Sequence, residues 1–355
     1  MTTNRYRQHS TLLEDGQAQA ATSTSATPTC TAAVAAGWWL HHVPYTGRSG
    51  TTTPFFCPLL TDCTRRMGWQ GHLQLDYSRS GQRTIALDRH HGPLRVLQRL
   101  YPEGDAVCHQ VLVHPPGGIV GGDVLALDAT LAPGCHALIT TPGATRFYRS
   151  AGPLAVQQVQ ADVAAGARLE WLPLETIAYN RCQVENRLRF TLAPGAQMLG
   201  WDVLALGLPA ADQPFVDGSY LQQLNLPGVW LERGRIQGQD RLLLDSPLGL
   251  AGHSVMATLW LADGEALAAA DGQTTGPGGL GRERTEMLID AARALIASSA
   301  LPTTAGVSAP AQSLLVLRAL GHRVEPVMAL LQAVWGAWRQ LHWGLPPCPP
   351  RVWRT

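Results

Sequence analysis

The side chains of this chain that could bind a metal ion lie mainly around one glycine-rich stretch, from His114 to Asp123. An imidazole stands at one end of this stretch and a carboxylate at the other. Both groups are ligands of divalent transition metals, so His114 and Asp123 are candidate metal ligands. The structural alternative stays open, because a His beside a glycine turn commonly bonds only to backbone.

Two carboxylates further along the chain, Glu170 and Glu175, lie in an apolar segment. A carboxylate in such surroundings needs a cationic partner, such as Arg146 or Arg149, or a polar passage to line. Glu175 is therefore our third candidate metal ligand, and both interpretations of it remain open.

Cysteine and histidine also occur together in the neighbouring strands, at Cys135 and His136. Adjacent residues of a strand point to opposite faces, so these two are not expected to bind one ion. A buried Cys most often behaves as a small apolar side chain.

The sequence lacks residues that several classes of protein require for their function. The chain contains no Lys, so all 27 Lys and Arg residues are Arg, and the lysine of a P-loop is absent. Neither a G-x-S-x-G nucleophile motif nor an H-E-x-x-H zinc motif occurs. The formal net charge of +1 gives no basic surface for nucleic acid. We predict that the chain is not an NTPase and binds no nucleic acid.

Cysteine usage and hydropathy indicate a cytoplasmic location. The 7 Cys are odd in number and scattered, without a C-x-x-C pair, which favours reduced thiols. No run of about 18 apolar residues is present, so we expect no membrane-spanning helix.

The candidate ligands are held by a predicted turn between two strands. Residues 106–113 are apolar and β-branched, and residues 124–131 alternate with the period of a half-buried strand. Between them, two prolines fix φ and four glycines permit conformations and close approaches that other residues do not. These glycines are Gly117, Gly118, Gly121 and Gly122.

An internal repeat predicts the architecture of the body. Three similar segments, each with the pattern of a strand, a turn and a second strand, contain Gly134, Gly166 and Gly195. These glycines are about 30 residues apart. Repeats of this length are typical of coiled or stacked β structures. We predict a mainly β fold with an extended, β-helix-like, multilayer body.

The composition and the hydrophobic pattern of the sequence change along the chain and divide it into regions. Residues 1–66 are rich in Ser, Thr, Ala and Gln and are predicted to be a disordered extension of a domain spanning 67–355. Within that domain we place the β body at about 69–262, a linker at 263–281 and a helical part at 282–355. Two helices are predicted in the last part, over 282–298 and 326–342, and the apolar stripe of the second is expected to pack on its own body.

Five motifs stand in order along the chain: His114 to Asp123, Thr140 to Ser150 (TTPGATRFYRS), Leu169 to Ile177 (LEWLPLETI), Gly200-Trp201-Asp202, and Pro350 to Thr355 (PRVWRT). Together they resemble the motifs of the UreD (UreH) family of urease accessory proteins. The resemblance covers residue 69 to the C-terminus, and Leu174 departs from the Gln that is typical of the family.

This resemblance implies a non-enzymatic chaperone that inserts nickel into apo-urease, acting as a scaffold and metal conduit. The implied partners are UreF, the GTPase UreG through UreF, and the urease apoprotein. No cofactor is expected to be tightly bound, and Ni²⁺ is expected to pass transiently by way of His114, Asp123 and Glu175. The motif residues with an implied structural role are Gly117, Gly118, Gly121, Gly122, Thr145, Arg146, Tyr148, Glu170, Trp201 and Asp202.

Two alternatives from other classes remain. A β-helix enzyme acting on polysaccharide requires carboxylates clustered on an open groove, and the acidic residues of the central body are sparse. A metal-free protein-interaction module requires no such groups.

Overall fold

The computed structural model describes residues 68–264 and 281–354. The predicted N-terminal extension and most of the predicted linker lie outside these residues. The described chain is mainly β, as predicted. Its strands are β1 (Gln70–Ser80), β2 (Arg83–His91), β3 (Arg95–Val96), β4 (Val107–Val113), β5 (Val124–Leu131), β6 (His136–Thr140), β7 (Thr145–Phe147), β8 (Ala155–Val163), β9 (Arg168–Leu172), β10 (Thr176–Ala178), β11 (Gln183–Leu192), β12 (Gln197–Leu208), β13 (Gln213–Pro214), β14 (Ser219–Leu226), β15 (Trp230–Gln237), β16 (Val255–Asp263), β17 (Ala305–Ala311) and β18 (Leu314–Gly321).

Within the described residues, three α-helices accompany the strands: α1 (Arg241–Asp245), α2 (Arg282–Ser298) and α3 (Val324–Trp343). The last two confirm the predicted C-terminal helices, whereas the short helix α1 was not predicted. Among the described helices, none is both long enough and apolar enough to cross a bilayer.

The strands form two main sheets that the chain visits in turn. The first sheet has the order β15-β14-β11-β8-β5-β1-β2, and the second has β17-β18-β16-β12-β9-β6-β4-β3. From β4 to β12 the long strands alternate between the sheets, and neighbours pair in parallel, as β5 with β8 and β6 with β9. Such a path is a coil of successive turns, which confirms the predicted β-helix-like body.

The repeated glycines lie at equivalent corners of this coil. Gly134, Gly166 and Gly195 have φ angles of 71°, 68° and 74°, in the left-handed region that favours glycine. The N-H of Gly166 donates to the carbonyl of Gly195 over 3.0 Å, so successive corners stack. The repeat in the sequence is therefore the repeat of one corner.

The space between the sheets is filled by the inward faces of the strands. In β5 the predicted inward residues Leu125, Leu127, Ala129 and Leu131 are all buried. Burial of each such Leu stabilises the fold by roughly 1.5–3 kcal/mol, which fixes the register of the strand.

A helical layer covers the outer face of the second sheet. Helix α3 buries Val327, Leu331, Val334 and Trp338 against β12, β16 and β18, which confirms that its stripe packs on its own body. Leu341 lies on the same side of the helix, but 39% of its surface is exposed.

The C-terminal part also contains a β-hairpin that the sequence analysis missed. Strands β17 and β18 pair antiparallel, and β18 pairs with β16, so they extend the second sheet. Strand β17 (AGVSAPA) lies at the edge of that sheet and lacks large apolar residues. Its sequence therefore shows none of the alternation by which strands are recognised.

Candidate functional site

The glycine-rich stretch is a rigid corner fastened to the short strand β7. The N-H of Ile119 donates to the carbonyl of Arg146 over 2.8 Å, and the N-H of Tyr148 donates to the carbonyl of Ile119 over 2.9 Å. The ring of Tyr148 packs edge-on against Tyr179, with centroids 4.9 Å apart. The corner thus takes its position from the body of the coil.

Two glycines show why this corner excludes side chains. Gly122 has a φ of 99°, which L-residues rarely adopt. A Cβ on Gly118 would lie 2.0 Å from the Tyr148 ring. Gly117 also has a positive φ, and a Cβ on Gly121 would lie 2.2 Å from Ser150 Oγ.

Asp123 closes the corner through its carboxylate. Its Oδ1 accepts the N-H of Trp69 over 2.7 Å, and its Oδ2 accepts the N-H of Val120 over 3.0 Å. The side chain is buried. This geometry gives Asp123 a structural role, whereas its role as a metal ligand stays a prediction.

Replacement of Asp123 by Ala is expected to lower the free energy of unfolding by about 1–2 kcal/mol, since two partly buried backbone donors lose a charged acceptor. Denaturant unfolding measures this loss. Asp128→Ala, on the exposed face of β5, is the control and is expected to change stability by less than about 0.5 kcal/mol. Equal stability of Asp123→Ala and the parent would contradict the structural role.

A cavity of about 370 Å³ opens beside the corner, inside the coil. Its walls are mostly apolar, and His114 is one of its polar lining groups, as a candidate ligand should be. Burial lowers the pKa of His114, partly offset by the Asp123 carboxylate, so the imidazole is neutral and able to bind a metal near pH 7. The other polar lining groups are Thr141, Thr145, Arg146, Gln157, Gln158, Thr176 and Asp202.

The structure does not bring all three candidate ligands to this cavity. Asp123 and Glu175 are not among its lining residues. Glu175 is half-buried, and its backbone carbonyl accepts the N-H of Thr145. Among the described residues no ion pair joins it to Arg146 or Arg149.

Asp202 is the acidic group of the cavity wall, which the motif alone did not show. It lies on β12 with its side chain directed into the coil, while Trp201 points outward to the helices. Gln222 Nε2 donates a hydrogen bond to its Oδ2. Burial raises the pKa of Asp202 to about 6.

A row of amide side chains continues from the cavity along the coil. Gln157, Asn186 and Gln222 are register partners on β8, β11 and β14, and Gln157 Nε2 donates to Asn186 Oδ1 over 3.2 Å. Asn186 and Gln222 are buried in an otherwise apolar interior. With Asp202 bonded to Gln222, the row forms a polar line perpendicular to the strands.

The raised pKa of Asp202 makes stability depend on pH in a predictable direction. Its folded-state pKa of about 6 lies above its ordinary value of 3.8, so its contribution to stability is complete below pH 3.8 and is lost as pH rises through 6. We expect Asp202→Asn to gain about 3 kcal/mol of unfolding free energy relative to the parent between pH 4 and pH 7.

Denaturant unfolding at several pH values tests this expectation. Asp162→Asn, at an exposed position of β8, is the control and should show no such trend. If the difference in stability between Asp202→Asn and the parent does not change with pH, Asp202 does not have the raised pKa that we assign to it.

Glu170 lies at the centre of a second buried polar group, between β9 and α3. Its Oε1 is 2.7 Å from His136 Nε2 and accepts Arg339 Nε over 3.1 Å, and its Oε2 accepts Trp335 Nε1 over 2.6 Å. Burial alone raises the pKa of Glu170, but the hydrogen bonds and charges of these partners outweigh burial and lower it. Glu170 is thus an ionised anchor for the helical layer.

Arg339 connects this polar cluster to the segment between β3 and β4, which contains Glu103. Its guanidinium also donates to the carboxylate of Glu103 and to the carbonyl of Pro346, and His109 Nε2 lies 2.7 Å from Glu103 Oε1. Arg339 is fully buried. The network therefore joins the segment before β4, the second sheet, α3 and the C-terminal tail.

The sequence predicted for Glu170 either a cationic partner, such as Arg146 or Arg149, or a polar passage. Glu170 has a cationic partner, but it is Arg339, 169 residues away, and neither of the two arginines that are closer in sequence. One signal was present: Arg339 follows Trp335 by one helical turn on an apolar face, where a lone cation needs a buried acid. Cys135 and His136 point to opposite sides, as predicted, since Cys135 packs inside the coil and His136 faces α3.

The last motif returns to the same region. Trp353 Nε1 donates to Thr140 Oγ1 over 2.8 Å, and its ring lies 5.4 Å from that of Trp201 and 5.7 Å from that of Trp335. Trp201 Nε1 donates to the carbonyl of Pro173. Motifs far apart in sequence thus meet under α3.

These features define a β-helix-like protein with an interior cavity and a helical layer anchored by a buried ionic network. Residues 70–354 match the family model described as UreD urease accessory protein. A protein named urease accessory protein UreD from Leptothrix cholodnii is 64% identical over 291 residues, which are 81% of this chain and 100% of the relative. Proteins of the same name from Paracidovorax citrulli and Variovorax paradoxus are 55% and 53% identical, over 81% of this chain and 99% and 100% of their own lengths.

The chain therefore belongs to the UreD family of urease accessory proteins. Membership of this family supports a role in urease maturation, together with urease and other accessory proteins.

Proposed function

We propose that this chain promotes the insertion of nickel into apo-urease, acting as a scaffold and metal conduit together with UreF and the GTPase UreG. The observation that carries the proposal is the interior cavity, where a neutral imidazole and a titratable carboxylate lie among apolar walls. Imidazole and carboxylate are ligands that suit Ni²⁺.

The polar groups of the coil favour passage over storage. His114 lines the cavity, Asp202 lies on its wall, and Asn186 and Gln222 continue the polar line along the coil. Neutral amides bind a divalent cation weakly, so an ion held by Asp202 can leave in either direction. A proton competes with the metal for Asp202 near pH 6, which also favours release.

An unpaired donor indicates that water enters this cavity. Trp171 lines the wall, is only 4% exposed, and its Nε1 has no hydrogen-bond partner among the described residues. The cavity is mostly apolar but has several polar groups on its wall, and a buried N-H beside such groups is commonly satisfied by water. A hydrated cavity lowers the cost of moving a divalent ion through the coil.

The division of work with the partners follows from the composition. The chain has no Lys, so it lacks the phosphate-binding group of a P-loop, and we assign nucleotide hydrolysis to UreG. The chain itself is proposed to be non-catalytic and cytoplasmic, and to bind Ni²⁺ only transiently.

The alternative of a polysaccharide-acting enzyme is not favoured by the geometry. That chemistry needs two carboxylates on an open groove. Glu170 is fully buried and ion-paired beneath α3, and Asp202 is bonded to Gln222 inside the coil.

Co-expression tests the proposal. Urease is produced with UreF and UreG, with and without this chain, and its activity and nickel content are measured. We expect both quantities to depend on this chain. If nickel-loaded, active urease forms equally without it, the proposal is wrong.

A further inference from the structure

At one end of the coil, the first sheet ends with β15 and the second sheet ends with β17. Gly234 on β15 pairs with Gln222, and Gly306 on β17 pairs with Arg318. Both glycines are exposed, and a Cβ added to either would meet no atom of the described residues within 4 Å. In the part of the chain that the structure describes, side chains therefore do not fill this end of the coil at these two positions.

A row of polar side chains in the second sheet leads from the cavity to this end. Asp202, Thr258 and Arg318 are register partners on β12, β16 and β18, so their side chains lie on one face, which is directed into the coil. Asp202 and Thr258 are buried, whereas the side chain of Arg318 is 60% exposed. Neighbouring strands are about 4.8 Å apart, so two such steps connect the cavity wall with solvent.

Glu232 faces this row from the first sheet. On β15, Ile236 packs into the interior, and the alternation of the strand places Glu232 and Gly234 on the same face. The carboxylate of Glu232 accepts a hydrogen bond from the guanidinium of Arg318, so this ion pair bridges the two sheets. Burial is the main cause of the raised pKa of Asp202, and the negative charge of Glu232 adds to it. The two carboxylates are therefore close enough to act on one cation in succession.

Two buried polar groups beside the row lack a partner. Asn186 Nδ2 and Tyr220 Oη have no hydrogen-bond partner among the described residues, and both side chains are fully buried. Asn186 is the register partner of Gln222, and the charge of Asp202 acts on Tyr220. Buried polar groups of this kind are commonly satisfied by water, which indicates that water extends from the cavity along the row.

We propose that the interior polar line opens to solvent at this end of the coil, and that Glu232 and Arg318 form a gate through which a hydrated divalent cation passes. The inference rests on the proposed function, because the opening belongs to the same route. The exposed guanidinium of Arg318 can turn into solvent, and the cation then takes its place beside Glu232. Because one cation replaces another, the carboxylate is not left without a positive partner.

Access of a small reagent to the interior tests the opening without nickel. Thr258→Cys places a thiol on the row, and its reaction with a trimethylammonium methanethiosulfonate is followed by peptide mass spectrometry, which distinguishes it from the 7 native cysteines. Gly234→Trp blocks the opening, and the backbone accepts this side chain because Gly234 has no positive φ. We expect Gly234→Trp to slow the labelling at least about tenfold.

The matched control is Arg233→Trp, because the neighbouring residue of β15 points to the outer face, and labelling is expected to stay within about twofold of the unblocked chain. Gly306→Trp blocks the opening from the facing edge strand, which keeps the test decisive if Gly234→Trp does not fold. The opening is excluded if the thiol of Thr258→Cys does not react, or if the folded blocked chains react as fast as the control.

Nickel loading of urease tests the gate itself. Gly234→Trp and Glu232→Gln are co-expressed with urease, UreF and UreG at limiting nickel, and each is expected to lower nickel per urease at least about tenfold, whereas Arg233→Trp should load like the parent. If Gly234→Trp blocks labelling but loads urease normally, the gate is wrong, while the proposed function still holds. If urease loads equally without this chain, the proposed function fails, and the labelling experiment still decides whether the opening exists.

Discussion

Arg339→Met is expected to destabilise the fold by about 3–5 kcal/mol, because it leaves two buried carboxylates without their shared cation. Glu170 and Glu103 both accept hydrogen bonds from this guanidinium, and Arg339 has no exposed surface. Met fills a similar volume, so the loss reports the charge and its hydrogen bonds and not a cavity. Denaturant unfolding followed by tryptophan fluorescence measures it, because Trp335 and Trp201 lie beside the network.

The matched control is Arg318→Met. Arg318 pairs with Glu232 at the surface, where its side chain is 60% exposed. An exposed pair contributes at most about 1 kcal/mol, so the two arginines should differ several-fold. Equal effects of the two substitutions would show that the buried network does not anchor the helical layer.

Asp202→Asn is expected to lower nickel loading of urease by about tenfold to a hundredfold at limiting nickel, the range seen when groups of a metal site are changed. The amide keeps the size of the side chain and its position beside Gln222, and it loses only the charge. We expect the complex with urease and the accessory proteins to form normally. The measurement is nickel per urease and activity after co-expression in low-nickel medium, with complex formation followed by co-purification.

The two effects of this substitution oppose each other, which separates function from folding. Asn is expected to make the chain more stable near neutral pH, because burial no longer acts on a carboxylate whose pKa is about 6. A chain that folds better and delivers less nickel cannot owe its defect to misfolding. Asp162→Asn, on the exposed side of β8, is the control for nickel loading, and a loading equal to the parent in Asp202→Asn would falsify the interior route.

Local patterns were sufficient for the parts of this protein whose constraints are local. The glycines of the corner before β5 are required by positive φ and by close approach of the Tyr148 ring, and both needs appear as residue types in sequence. The stacked corners at Gly134, Gly166 and Gly195 repeat because each coil needs the same left-handed turn. The period of β5 and the stripe of α3 likewise predicted which faces are buried.

The polar groups of the interior were decided by the tertiary structure. In the sequence Asp202 is only part of a motif. The packing of β12 against the first sheet places it on the cavity wall, where it bonds to Gln222 at the end of the amide row that the pairing of β8, β11 and β14 aligns. The partner of Glu170 comes from a helix 169 residues later, because docking of α3 removes water from both groups at once. A charge in sequence shows that a partner is needed, but which partner it meets depends on which surfaces the fold brings together, and that is a long-range property of packing.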